Sequence, residues 1–336
     1  MISEKLWEVT MSRQCLQLLL ITSLISTGLL AACSTTQVAS TTSTAVSTST
    51  IVPAHPGTIA FSTDGSEYVN DVYTIQTDGT GLTRLTETNT SAEATAWSPD
   101  GSKIAYMVCP QGPESDNRQY DIWIMNADGS EQKQLTQGPL GGTYPAWSPD
   151  GTQIAYSTWY YPIEKYGPAQ IYVMNADGSN PQPVTKGSGH VFFPQWTPDG
   201  KILFLQKIGW YGSSRGDVFS IFPDGSDLTR LTTIEHVGDF ALSPDGTKLA
   251  IYNSEKASIE ILPVNESGVG APVKLINTGF GYDPVKIAWS PDGEALLFSH
   301  HQFKKWGLFD LHLVNADGSD LTTIPNAKGA DAAWQP

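Results

Sequence analysis

The stretch Thr95–Met107 reads TAWSPDGSKIAYM, and the chain returns to it. Its opening recurs at Trp147, Trp196, Leu242 and Trp289, at spacings of 50, 49, 46 and 47 residues. A second motif keeps step with it: DIWIMNADGS from Asp121, QIYVMNADGS from Gln170, DVFSIFPDGS from Asp217 and DLHLVNADGS from Asp310. Runs such as IAYM, IAYS and LAIY mix β-branched and aromatic side chains, as strands do. SPDG and NADG set Pro where φ is fixed and Gly where φ must be positive, so they read as tight hairpin turns. No 3.6-residue apolar period persists beyond the N-terminal segment. Four short antiparallel strands repeated at this length are the signature of a β-propeller blade.

Five openings are complete, but Gly57–Thr86 has the later strands of a unit and lacks the first. The missing strand stands at the other end of the sequence, in DAAWQP, Asp331–Pro336. Set end to end, AAWQP and HPGTIAFS reproduce the pattern of TAWSPDGSKIAYM. The expectation is an all-β fold, a six-bladed β-propeller of four-stranded antiparallel blades over residues 55–336. The C-terminal strand completes blade one and closes the ring, which removes free sheet edges.

In register, AWSPDGxxIAY…DIWxMNADGSxxxxLT resembles the TolB-like propeller repeats of bacterial envelope proteins, over essentially all of residues 55–336. The resemblance implies a six-bladed propeller in the periplasm or at the cell surface, engaged in protein binding. Two features depart from it. TolB itself carries an α/β domain before its propeller, where this chain has a Ser/Thr-rich tether. TolB is also soluble after export, whereas this chain carries a lipidation motif, so a role in the Tol system does not follow.

That motif closes the segment LQLLLITSLISTGLLAAC, Leu16–Cys33, an apolar run that reads as a signal peptide spanning residues 1–32. Glu4 and Glu8 are wrong for a positive leader, so Met11 is the expected start, with Arg13 as its charge. LAAC, Leu30–Cys33, resembles the lipobox of bacterial lipoproteins, which implies acylation of Cys33. Lipidation anchors a chain to a membrane without spanning it. Residues 33–54 are Ser/Thr-rich low-complexity sequence and read as a flexible tether. After processing only Cys109 is left as a thiol, and it reads as a small strand-end residue rather than a nucleophile. The expected location is the bacterial envelope, on the periplasmic face of the outer membrane or at the cell surface. A net charge of −15 argues against nucleic acid and anionic lipid as partners. A monomer that touches the membrane through its anchor alone is expected.

In a four-stranded meander the SPDG and NADG turns share one face of the ring, and the 2–3 and 4–1 loops share the other. NADGS resembles a fragment of a calcium loop but lacks the remaining acidic positions, so it reads as a structural turn. The loop face is irregular and aromatic, and loops held on a rigid scaffold are where binding concentrates. Its candidate ligand-binding residues are Arg118, Tyr120, Trp159, Tyr160, Tyr161, His190, Trp210, Tyr211, Arg215, His236, His300, His301 and Trp306. Three positions before each first-strand Trp or Leu stand Asp331, Ala94, Tyr144, Phe193, Asp239 and Lys286, which should crowd the channel mouth on this face. Of these, Asp239, Lys286 and Asp331 are expected to form a salt-bridged cluster steadying the closure; a catalytic Asp–Lys pair is the other reading.

GSSRG, Gly212–Gly216, matches G-x-S-x-G around Ser214, but that motif needs a strand–turn–helix setting and here falls between strands. The expected function is a non-catalytic envelope lipoprotein that binds a protein or glycan on the aromatic loop face, with no cofactor or metal. The alternative is a metal-dependent polysaccharide lyase or hydrolase using His190, His236, His300 or His301, since some propeller lyases resemble this repeat and place a metal in the channel.

Overall fold

The computed structural model describes residues 55–63, 70–87, 90–110, 119–138, 141–158, 167–187, 189–207, 216–265, 268–278, 286–301 and 309–336. For Ala94, His300 and His301 only the backbone is described. The described elements are strands in six antiparallel sheets. The first sheet runs β25 (Ala330–Trp334), β1 (Thr58–Ser62), β2 (Val72–Gln76), β3 (Thr83–Arg84). The second runs β4 (Ser91–Trp97), β5 (Lys103–Cys109), β6 (Asp121–Asn126), β7 (Lys133–Gln134), and the third β8 (Gly142–Trp147), β9 (Gln153–Thr158), β10 (Ile171–Asn175), β11 (Gln182–Pro183). The fourth runs β12 (Val191–Trp196), β13 (Ile202–Lys207), β14 (Gly216–Ile221), β15 (Thr229–Arg230). The sixth runs β21 (Ile287–Trp289), β22 (Ala295–His301), β23 (Phe309–Asn315), β24 (Thr322–Lys328). This is a six-bladed β-propeller.

Blade five differs. It comprises β16 (Val237–Leu242), β17 (Lys248–Asn253), β18 (Ser258–Asn265), β19 (Gly268–Val269) and β20 (Val273–Asn277). Here the sequence has VNESGVGAP in place of an NADG turn, so β18 runs on to pair with β19 at its end and with β20 along its length.

Ring closure follows the expected register. Ile59 faces Trp334 and Ala60 faces Ala333 across the β1–β25 pair, and the Gln335 amide donates to the Thr58 carbonyl at 2.9 Å. The apolar core is divided among the joints between blades. Ala60 and Val72 of blade one pack on Ile104 and Tyr106 of blade two, and Phe61 and Trp334 of blade one on Leu297 and Leu311 of blade six. Sheets buried on both faces explain why the central strands read as continuous apolar runs.

Four of the six joints are also stitched by an indole. Trp97 Nε1 donates to the Ala333 carbonyl (3.3 Å), Trp147 to Ala96 (3.2 Å), Trp196 to Ala146 (3.2 Å) and Trp289 to Ala241 (3.0 Å). The acceptor is always the residue before the Trp or Leu of the preceding blade. Leu242 cannot donate in this way, and Gln195 of blade four replaces the link: its Oε1 accepts from the Leu242 amide at 2.9 Å and its Nε2 donates to the Leu242 carbonyl at 3.4 Å. At the closing joint the buried Trp334 Nε1 has no hydrogen-bond partner among the described residues.

The NADG turns are fully used by the fold. Asp128 Oδ1 accepts from the Ser130 amide and hydroxyl at 2.9 and 2.6 Å. Gly129 has φ 85°, and a Cβ there would lie 2.8 Å from the Leu85 carbonyl of the neighbouring blade. A side chain would therefore clash as well as strain the turn.

Candidate functional site

The inner strands do not reach the channel mouth as regular ladders. Register shifts between Thr143 and Ala146, Phe192 and Gln195, and Val237 and Asp239 mark β-bulges in β8, β12 and β16. A bulge bends the strand and re-aims a side chain. Tyr144 (φ 53°), Phe193 (φ 57°) and Asp331 (φ 51°) sit in the left-handed region, costly for bulky residues unless the surroundings impose it. Blade five reaches the same end with Gly238, where a Cβ would come within 2.9 Å of the Tyr252 ring.

The bulged residues line a cavity of ≈ 320 Å³ with Asn70, Glu93, Lys286, Ser299 and Phe309. Tyr144 and Phe193 meet edge to face with centroids 4.4 Å apart, and Lys286 Nζ lies 5.0 Å from the Phe193 ring centre. Lys286 Nζ also stands 3.6 Å from Asp239 Oδ1. The other carboxylate oxygen, Oδ2, accepts from the Ile287 amide at 2.8 Å. Asp239 is buried, and among the described residues none donates a hydrogen bond to its Oδ1. Burial pushes its carboxyl above the ordinary value; Lys286, the Ile287 and Phe240 amides and Lys207 oppose that only in part. Lys207 shows the reverse, its ammonium pushed down by burial and partly supported by Asp239. On the far wall Glu93 Oε1 accepts from Asn70 Nδ2 at 3.0 Å and from the Ser91 hydroxyl. The mouth is thus a polar pocket with an aromatic wall and a buried carboxylate short of hydrogen-bond donors, suited to holding a group that carries N–H or O–H donors.

A family model described as the TolB β-propeller domain matches residues 113–209 and 160–336. The chain belongs to the TolB β-propeller domain family. Among solved structures it is similar to TolB from Acinetobacter baumannii, with 21% identity, a TM-score of 0.68, and coverage of 83% of this chain and 67% of that one. It is also similar to a structure described as putative TolB from Agrobacterium tumefaciens, with 18% identity, TM-score 0.57 and coverage of 84% and 99%. An oligogalacturonate lyase in complex with manganese matches at 12% identity, TM-score 0.53 and coverage of 80% and 74%. No curated protein sequence matches.

In this TolB-family propeller the structure brings Asp239 and Lys286 together and sets Asp331 in the same cavity, where its carbonyl accepts from Thr95 Oγ1 at 3.0 Å. Tyr120 is half-buried and packs with Tyr144 and Trp147 against the core between blades two and three. His190 accepts the Ala169 amide at Nδ1 (3.3 Å), lies parallel to the Phe192 ring at 6.1 Å, and is pushed down by burial. His236 Nε2 stands 3.9 Å from Glu255 Oε2. His300 and His301 end β22, paired with Asp310 and Phe309. Arg118, Trp159, Tyr160, Tyr161, Trp210, Tyr211, Arg215 and Trp306 lie outside the described residues. Sequence reading missed Glu93, Asn70 and Lys207. Glu93 could have been found as the neighbour of the bulge position; Lys207, the last residue of a second strand, carries no such signal.

Proposed function

We propose that the protein is a lipid-anchored bacterial envelope lipoprotein whose propeller binds a protein or glycan partner on the loop face, over the channel mouth, without catalysis. The observation that carries this reading is Asp239: a buried carboxylate, open to further donors, at the base of a cavity walled by bulge-aimed Tyr144 and Phe193. Buried polar groups are ordinarily satisfied, so a ligand N–H or O–H reaching Oδ1 would gain a charge-assisted bond. Family membership supports a protein partner. The chain enters blade one across the turn face, where His55 contacts Asp292 and Asn315.

The test compares partners captured from envelope extracts by the intact protein, by Phe193→Ala and Lys286→Met at the mouth, and by Asp128→Ala and Asp177→Ala on the turn face. Loss confined to the mouth variants, all remaining folded, supports the reading; loss confined to the turn-face pair refutes it. For the anchor, Cys33→Ala should abolish lipid labelling, and labelling that persists would remove Cys33 as the site.

The second reading, a metal-dependent polysaccharide lyase or hydrolase, draws on the manganese-bound oligogalacturonate lyase among the structural neighbours. Against it, His190 and His236 are engaged as above, and among the described residues the one group of three potential metal ligands lies on the turn face. Stoichiometric metal lost on changing His190, His236, His300 or His301 would favour it.

A further inference from the structure

Blade six departs from the repeat at two positions, and one residue from outside the repeat meets both. In blades two, three and five the residue two places after the turn Asp is a hydroxyl that donates to its carboxylate. Ser102 donates to Asp100 at 2.8 Å, Thr152 to Asp150 at 2.9 Å and Thr247 to Asp245 at 2.8 Å. Blade six has Glu294 there, so a donor is replaced by a second carboxylate. Asp292 Oδ1 keeps its turn duties, accepting from Ser290 Oγ at 2.5 Å and the Glu294 amide at 3.0 Å. Its Oδ2 turns instead to His55 Nδ1, 3.1 Å away.

The second departure is Ala295, standing where blade two has Lys103, whose ammonium donates to Asn126 Oδ1 at 3.0 Å. In blade six His55 Nε2 takes that ammonium's place, 3.1 Å from Asn315 Oδ1. The Asn315 amide is oriented without ambiguity, because its Nδ2 donates to Ser319 Oγ at 2.9 Å and to the Asp320 carboxylate at 3.0 Å. Oδ1 is therefore the acceptor and Nε2 carries a proton. Nδ1, which donates to Asp292 in the absence of a cation, is then the nitrogen whose proton a metal would displace, and it faces two carboxylates.

We propose that His55, Asp292 and Glu294 form a site for a zinc-type divalent cation on the turn face, with Asn315 orienting the imidazole. The three donor atoms lie within 4.8 Å of one another. Zinc bound at about 2.0–2.2 Å in a tetrahedron spaces its ligands by about 3.3 Å, and the His55–Asp292 edge is already 3.1 Å. Glu294 is exposed and closes the remaining gap by side-chain rotation, with water in the fourth position. A metal-bound imidazole characteristically gives its other N–H to an oxygen acceptor, as Nε2 does to Asn315. His55 is largely buried while Asp292 is 49% exposed, which provides both a fixed ligand and a path of entry. One imidazole with two carboxylates suits zinc better than calcium or magnesium, which take oxygen alone. Bound there, the cation would fasten the segment leading into blade one onto blade six, beside the joint where the ring closes.

The experiment titrates zinc chloride into purified full-length protein at pH 7.5 by calorimetry and repeats the titration with His55→Gln and Glu294→Thr. Glu294→Thr installs the residue that blades three and five already use, so its turn is preserved. Expected is one equivalent of zinc per chain, weakened at least tenfold in both variants, with a zinc-dependent rise in Tm of about 2 °C or more in the intact protein alone. No saturable binding would overturn the proposal. So would zinc binding that both variants retain at full strength, which places the metal elsewhere, as the lyase reading requires at His190, His236, His300 or His301.

Discussion

Replacing Gln134 with Arg tests whether the outer strands are held by a repeated electrostatic device. In blade one Asp71 accepts from Thr86 Oγ1 at 2.8 Å and from Arg84 Nη2 at 2.5 Å; in blade four Asp217 accepts from Thr232 at 2.6 Å and Arg230 at 2.5 Å. Blade two has the same register, with Asp121 facing Thr136 at 3.3 Å, but Gln134 at 3.1 Å stands in place of the Arg. Burial there pushes the Asp121 carboxyl up to about 6 from an ordinary 3.8, against the opposing bonds from Thr136 and Gln134. With its folded pKa raised, the folded state keeps a proton that the unfolded chain releases, so stability falls as pH rises from 3.8 to about 6 and stays lower above. The free energy of holding that carboxylate ionised in the fold has a ceiling of about 3 kcal/mol. The rim lies close to solvent, and screening brings the recoverable part to about 1–2 kcal/mol. Gln134→Arg should therefore raise Tm by about 2–6 °C at pH 8, with only a fraction of that gain at pH 4, followed by Trp fluorescence on heating. A gain as large at pH 4 as at pH 8 would mean that the Arg helps by packing and that the carboxylate is not the cause. No gain at pH 8 would sink the account altogether.

Deleting Asp331–Pro336 removes β25 and should cost about 3–5 kcal/mol for Trp334 alone; a truncated protein melting within about a degree of the intact one would contradict the closure. Trp147→Phe breaks the bond to the Ala96 carbonyl, whereas Trp334→Phe breaks none, so urea unfolding should show the former costlier by about 1 kcal/mol. Lys286→Met strips Asp239 of its nearest cation, an expected loss of about 3 kcal/mol that Asp239→Asn in the same chain should largely restore. Absence of that rescue would show that the two side chains do not act as a pair.

The blade count was legible because AAWQP at the end of the sequence and HPGTIAFS, set together, reproduce the pattern of the complete openings. The joint chemistry was written there too, less openly. Leu242 is the one opening that lacks Trp, and Gln195, 47 residues earlier, is the one opening where Gln replaces the Ala before the Trp. Those two departures compensate each other across a joint, which only the fold makes visible. The conformation of Tyr144 and Phe193 could not be read, because a left-handed aromatic residue contradicts local preference and is imposed by the bulge around it. Lys207 escaped for a similar reason: its significance comes from Asp239, a residue of the next blade whose charge partly supports its ammonium. The extra hairpin in blade five follows from the loss of NADG, a signal that was present but pointed to an absent turn rather than to a new strand.

Ring closure also bears on the order in which the molecule folds. Neighbouring blades meet through residues roughly fifty positions apart, as Trp147 does with Ala96, so interfaces can be added one after another along the chain. The β1–β25 pair, which sets Ile59 against Trp334, joins the earliest strand to the latest and defers its contacts until every intervening blade exists. Until then β1 presents a bare edge, the kind of surface on which partly folded chains associate. Gly329 alone separates β24 from β25, and a Cβ on it would lie 2.1 Å from the Ser62 carbonyl. With so short a step, β25 cannot stray from blade six while it waits. The search for β1 is then confined to the neighbourhood of one joint, which favours closure within the chain over exchange of the strand between two molecules.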